Sequence, residues 1–166
     1  MRVYVPVTIA MLAQLEADGE LAAVGGTAFA LTPAIREAYA VGGDEELSYA
    51  AMAEAARASL RLLAGELDDE SVLARRAVLS ADVDGARLRP DLDAAVVRLS
   101  RPVQRSEVAS VHLDLAEAED AVCTAVAAVD DADLGDHDAE FLLGDVADHE
   151  LAWYAAQELP FLLELL

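Results

Sequence analysis

The chain contains no lysine and no asparagine, and all 11 of its basic residues are arginine. With only two isoleucines, Ile9 and Ile35, this points to a GC-rich coding bias, so arginine in place of lysine carries little chemical meaning. Cys123 is the only cysteine, which excludes an internal disulfide and a cysteine-rich zinc site. Bases are absent beyond Arg105, while residues 106–166 hold 16 acids. Such a segment cannot neutralise nucleic-acid phosphates, which takes clustered Lys or Arg. Anionic lipid surfaces repel it as well. Aromatics make up 5% of the residues against 55% hydrophobic overall, so the expected core is Ala, Leu and Val with few large anchors. No apolar run approaches the roughly 18 residues that a membrane span needs. The start, MRVYVPVTIAML, lacks the small-residue cleavage site of a signal peptide and reads as a first strand. A cytoplasmic location is the expectation.

What is present is acid. The formal charge is −21, from 32 acidic and 11 basic residues. A basic protein surface is the electrostatically matched partner, with plain solubility or salt adaptation as the simpler reading. The 166 residues suit one domain, 1–166.

Residues 75–114 hold three β-rich runs, 76–82, 94–99 and 108–113, and are the expected centre of a sheet. The run 76–82 alternates poorly, which suits a strand covered on both faces. Residues 2–7 read as another strand, with Pro6 placing it at an edge or a strand end. Thr8 is set to cap a helix over 9–17 that stops at Gly19. A strand is predicted at 28–31, and Thr32-Pro33 begins a short helix. Asp44 is the expected cap of a longer helix, 45–64. A helix is predicted over 116–129, then an acidic loop over 130–138. A short helix over 139–143 is expected to break at Gly144, with a last strand at 151–155 and a helical end at 158–166. The class is α+β, with a mixed or mainly antiparallel sheet of four to six strands flanked by helices.

No catalytic signature stands out. The loop 130–138 does not fit an EF-hand: with Gly135 at the sixth position, Ala132 and Phe141 occupy two ligand positions. His112, His137 and His149 lack zinc-site spacing, and no metal or cofactor is expected. A site joining His112, His149 and a carboxylate is conceivable. No serine lies in a Gly-x-Ser-x-Gly elbow, and Gly25-Gly26 is too short for a phosphate loop. Cys123, on an apolar helix near Glu119 and Asp120, is expected to be buried and inert. The densest chemistry is 148–160, where Trp153, Tyr154 and Glu158 are the interaction candidates. The plainer expectation for Trp153 is a plug in an alanine-rich core. The arginines of 75–105 are expected to pair with acids of the last third.

MRVYVPVTIAMLAQL, TAFALTPAIREAY, SVHLD and DHELAWYAAQELPFLL together resemble a family of small acidic actinobacterial proteins of unknown function. The resemblance covers nearly the whole chain and implies a stand-alone cytoplasmic protein. A looser pattern is similar to small ADP-ribosyltransferase-like domains: Tyr4 and Thr8 at the first strand, a helix ending in Gly19, the FALT run, 78–82, and Arg101-Pro102-Val103 with Val108 and Val111. It implies a cleft lined by Tyr4, Thr8, Phe29 and Thr32. In those domains a first-strand histidine binds the nicotinamide nucleotide. Val5 stands at that position here, beside Pro6, and the catalytic acid has no clear match. Two readings follow: a non-enzymatic acidic interaction or regulatory module, or a small-ligand binder or enzyme on a degenerate scaffold of that type.

Overall fold

Strand-forming residues are spread along the whole chain, yet they assemble into one seven-stranded sheet. The computed structural model describes residues 1–39 and 41–166. In spatial order the strands are β5 (Arg87–Leu88), β6 (Val96–Arg98), β3 (Thr27–Phe29), β1 (Arg2–Val7), β4 (Ala77–Asp82), β8 (Val108–Leu113) and β9 (Ala152–Ala155). Every neighbouring pair is antiparallel. β2 (Glu20–Leu21) and β7 (Val103–Gln104) form a separate two-stranded ribbon. The α+β class and the antiparallel sheet are those expected. The sheet reaches seven strands, one more than expected, because the dipeptide β5 extends one edge.

Of the three β-rich runs, two become the adjacent strands β4 and β8, and the third, β6, lies one place from the edge. The middle strand is β1; of the two placements expected from Pro6, an edge or a strand end, the structure has the second, with Pro6 one residue from the end of β1. Met1 and Val83 bond reciprocally through their backbones, so odd-numbered residues of β1 turn their amides toward β4. Pro6 therefore presents its missing donor to β3, where the ladder has a single registered pair, Tyr4 with Phe29. Toward β4 pairing continues unbroken from Arg2 to Val7.

One face of the sheet carries Val3, Val5, Val7, Leu79 and Val111. It is covered by α1 (Ile9–Asp18) through Leu12 and Leu15 and by α6 (Leu159–Leu165) through Leu159. The other face carries Phe29 and Val78 under α2 (Pro33–Ala38) and α3 (Asp44–Ala64), which supply Ile35, Leu47, Ala51 and Ala55. α4 (Glu119–Asp133) and α5 (His137–Ala147) pack as a pair against the end of α3, joining Val122, Val129, Leu143 and Val146 to Leu60 and Leu63.

Thr8 and Thr32 cap α1 and α2 as expected. Asp44 does not cap α3. Gly43 occupies that position, and Asp44, in the first turn, binds Arg36 at 2.7 Å. The acidic loop expected over 130–138 is mostly helix. α4 runs on to Asp133, because its apolar stripe continues through Val129 and Ala132 and because Arg57 and Arg61 of α3 take the Asp133 carboxylate. Asp136 then caps α5, which passes through Gly144 without a break. Cys123 is exposed rather than buried, since the buried stripe of α4 falls on Val122, Ala125 and Val129. The strand expected at 151–155 is β9.

Candidate functional site

α3 packs over β1, β4 and β3, and a cleft stays open on the same face of the sheet toward β8 and β9. Successive strand residues alternate between faces, and the register sets four residues in a row across the sheet on the α3 side: Phe29, Tyr4, Ser80 and Ser110. The next row on that face brings Val78 beside His112 and His112 beside Trp153. Tyr4, Ser80, Ser110, His112, Trp153 and Arg2 line a cleft of about 410 Å³ against Glu45, Ser48, Tyr49 and Met52 of α3.

The floor is polar where a sheet core would ordinarily be apolar. Ser80 and Ser110 are both buried and stand opposite each other on β4 and β8. Ser110 Oγ lies 3.0 Å from His112 Nε2. The Ser80 hydroxyl makes no hydrogen bond to protein among the described residues, but it faces the open cleft and is not sealed from solvent. Burial pushes the His112 imidazole below its ordinary pKa, and the charge of Arg2 acts in the same direction. His112 is therefore neutral at pH 7, able to accept from Ser110 or to donate to it. Arg2 is held in place by Asp82, through Nε–Oδ1 at 2.7 Å and Nη2–Oδ2 at 3.0 Å. At the mouth stand two exposed aromatics, Tyr49 and Trp153, the latter 62% exposed.

A second cavity, of about 400 Å³, adjoins the first and shares Tyr49 and Met52 with it. It lies between α3, α5 and the segment entering β9, with Leu60, Leu143, Val146 and Leu151 among its walls and Arg76 and His149 also lining it. Glu54 also lines it, and burial pushes that carboxyl up, with Asp93 adding in the same direction.

Of the four residues expected to line a cleft, Tyr4 does so. Phe29 is its cross-strand neighbour and packs in the core beneath α2 and α3. Thr8 and Thr32 spend their hydroxyls on helix caps, and Thr32 also donates to the Ala94 carbonyl. Trp153 does not plug the core; it stands at the cleft rim. Tyr154, one residue on, packs against the opposite core. Glu158 turns back to accept from the Ala155 amide at 2.8 Å. His112 and His149 line different cavities. Among the described residues no group of three His, Cys, Asp or Glu is placed to hold a metal ion. Ser80 and Ser110 are not readable as site residues from local pattern. The available signal is a serine inside each of two otherwise apolar strands.

The expected pairing of arginines with the acidic last third holds in part. Arg75 binds Glu119, Arg76 binds Asp114 and Arg101 binds Glu107. Arg105 instead binds Glu16, and Arg89 binds Asp91. No helix among the described residues is long and apolar enough to cross a membrane. Residues 1–163 match the family of unknown function DUF6912, and the chain belongs to that family. No curated protein and no solved structure matches it.

Proposed function

We propose, for this member of a family of unknown function, that the cleft over β4, β8 and β9 binds a small polar molecule with a flat face. The protein is then a ligand-binding module rather than a catalyst. The observation that supports this is the pair of buried serines, Ser80 and Ser110, beneath the exposed ring of Trp153. The Ser80 hydroxyl makes no hydrogen bond to protein among the described residues, so it is free to pair with a ligand's own polar group at the cleft floor. An exposed indole beside it offers a stacking surface at little entropic cost. Val5, at the position of the nicotinamide-binding histidine in ADP-ribosyltransferase-like domains, is buried in the opposite core and does not reach this cleft. The reading therefore carries no ADP-ribosyl transfer.

Trp153 is the only tryptophan, so its fluorescence reports the cleft alone. The free protein should emit as an indole in water and be quenched by iodide or acrylamide. Titration with nucleosides, NAD and simple sugars should find a class that shifts the emission to the blue, and Ser80→Ala should weaken that response about tenfold. A blue, protected emission from the free protein would sink the reading.

A second reading, a cytoplasmic acidic module for a basic protein surface, has its own support. Leu134 and Phe141 are 87% and 77% exposed at the corner between α4 and α5. Asp130, Asp131 and Asp138 flank them in sequence, with no arginine in a salt bridge to any of the three among the described residues. Partners captured there should be lost above about 0.5 M salt, where charge attraction is screened.

A further inference from the structure

Among the described residues, nine of the eleven arginines hold a carboxylate within salt-bridge distance. The two that do not, Arg87 and Arg98, are cross-strand partners on β5 and β6 at the free edge of the sheet. Among the described residues neither guanidinium has a hydrogen-bond acceptor in the protein, and Arg98 Nε is fully buried without one. A shortage of carboxylates is not the cause in a chain with 32 acids. Asp91, close enough to feel the charge of Arg98, is clamped by Arg89 through two bonds of 2.9 and 2.8 Å.

Like charges directly opposite on neighbouring strands destabilise a sheet. Of this pair, Arg98 is held in place from two directions. Thr27 of β3 is the other cross-strand neighbour of Arg98. Gly26, at φ +70°, lies under the Arg98 side chain: a Cβ there would come within 2.9 Å of Arg98 Cδ and 3.1 Å of the Leu99 carbonyl oxygen. The stem of Arg98 is thus laid against a glycine backbone and its Nε is sealed, which leaves the two Nη groups as the donors that can face outward.

We propose that Arg87 and Arg98 form a binding site for a phosphate group, free or esterified. Two adjacent guanidinium groups carry the charge that offsets a phosphate dianion, and their planar forks match its oxygens in bidentate fashion. Binding turns the repulsion between the two arginines into a shared attraction. The net charge of −21 repels anions at long range, but at physiological ionic strength charges separate electrically beyond about 8 Å. Contact geometry at the pair then decides what is held.

The test uses the full chain and its melting temperature in inorganic phosphate and in glycerol phosphate, each matched by chloride at equal ionic strength. Phosphate at about ten times its Kd should raise the midpoint by about 3–6 °C over the chloride control. A response to both compounds assigns the site to the phosphate group itself; a response to the ester alone assigns it to esterified phosphate. Arg87 is exposed, so its replacement keeps the fold. Arg87→Glu sets a carboxylate opposite Arg98. It should melt higher than the parent without phosphate and lose the phosphate response, while Arg87→Ala should weaken binding about tenfold or more. No rise over chloride with either compound, or an undiminished rise in Arg87→Glu, overturns the site.

Discussion

Asp114 receives three hydrogen bonds from one residue, Arg76. Its Oδ2 accepts from the backbone N–H and from Nε, and its Oδ1 from Nη2, each at 2.8 Å. Nη2 also donates to the His149 carbonyl at 2.7 Å. The two side chains are 6% and 0% exposed. One ion pair thus ties the start of β4 to the end of β8 and to the segment that leads into β9. Removing one partner leaves the other as an unpaired buried charge, so Asp114→Asn should cost about 3–5 kcal/mol in urea unfolding. The double change Arg76→Met with Asp114→Leu should recover most of that loss, because it removes both charges and fills the space. A cost below about 1 kcal/mol for the single change would show that the pair does not hold these elements together.

Asp133 joins α3 to α4 in a different setting, at the surface. Arg61 holds it through Nε and Nη2, and Arg57 through Nη2. The Arg61 hydrogen bonds are the main reason its pKa is pushed down to about 2, with burial opposing and Arg57 assisting. A carboxylate with a depressed folded pKa adds stability above its unfolded pKa of about 3.9, and that stability is lost as pH falls toward 2. Solvent screening at this exposure reduces the contribution to about 1 kcal/mol. Asp133→Asn should therefore melt lower than the parent at pH 7, and the gap should close between about pH 4 and pH 2. A gap that stays constant over that range would mean the effect is not electrostatic.

Elements whose signals are local were legible in the chain. Thr8 before a helical pattern, Thr32-Pro33, and the apolar runs of β1, β4 and β8 all form what their residues favour. The helix that replaces the expected acidic loop escapes a local reading because part of its support is distant in sequence. Asp133 stays helical because of arginines 72 and 76 residues earlier. Pro6 is tolerated in the middle strand because it lies at the strand end expected for it, with its bare side past the last registered pair with β3. The cleft was legible only in pieces. Trp153 stands out by residue type and Tyr4 through the resemblance, but Ser80 and Ser110 acquire meaning only from the register that sets them side by side with Tyr4 and His112.

His112 should make the cleft sensitive to mild acid. Its folded pKa is lowered, by burial first and by Arg2 second. The unfolded chain therefore takes up protons first as pH falls, and the stability present above about pH 6.5 is lost as pH drops through the folded value. His112→Gln keeps a neutral polar group within reach of Ser110 and removes the titration. The parent should lose stability relative to that variant on going from pH 7.5 to pH 5, and the imidazole proton signals should titrate below the ordinary histidine range. A parent and variant whose melting temperatures run parallel over that interval would show that His112 is not held neutral by the fold.

Two glycines should respond to alanine in opposite senses. Gly144 lies inside α5, and a Cβ added there meets nothing within 4 Å. Its replacement removes backbone freedom from the unfolded chain and adds a good helix former, so Gly144→Ala should stabilise by about 0.5–1 kcal/mol. Gly26 has φ +70°, and a Cβ there would press to 2.9 Å from Arg98 Cδ and 3.1 Å from the Leu99 carbonyl. Arg98 can give way, but the carbonyl belongs to the backbone that receives Gly26, since the Leu99 amide donates to the Gly26 carbonyl at 2.7 Å. Gly26→Ala should cost about 1–3 kcal/mol from the strained conformation and this close approach. Denaturant midpoints of the two variants, measured side by side, decide both: a destabilised Gly144→Ala would mean that the open side of α5 is needed as glycine, and a neutral Gly26→Ala would mean that the turn before β3 yields without cost.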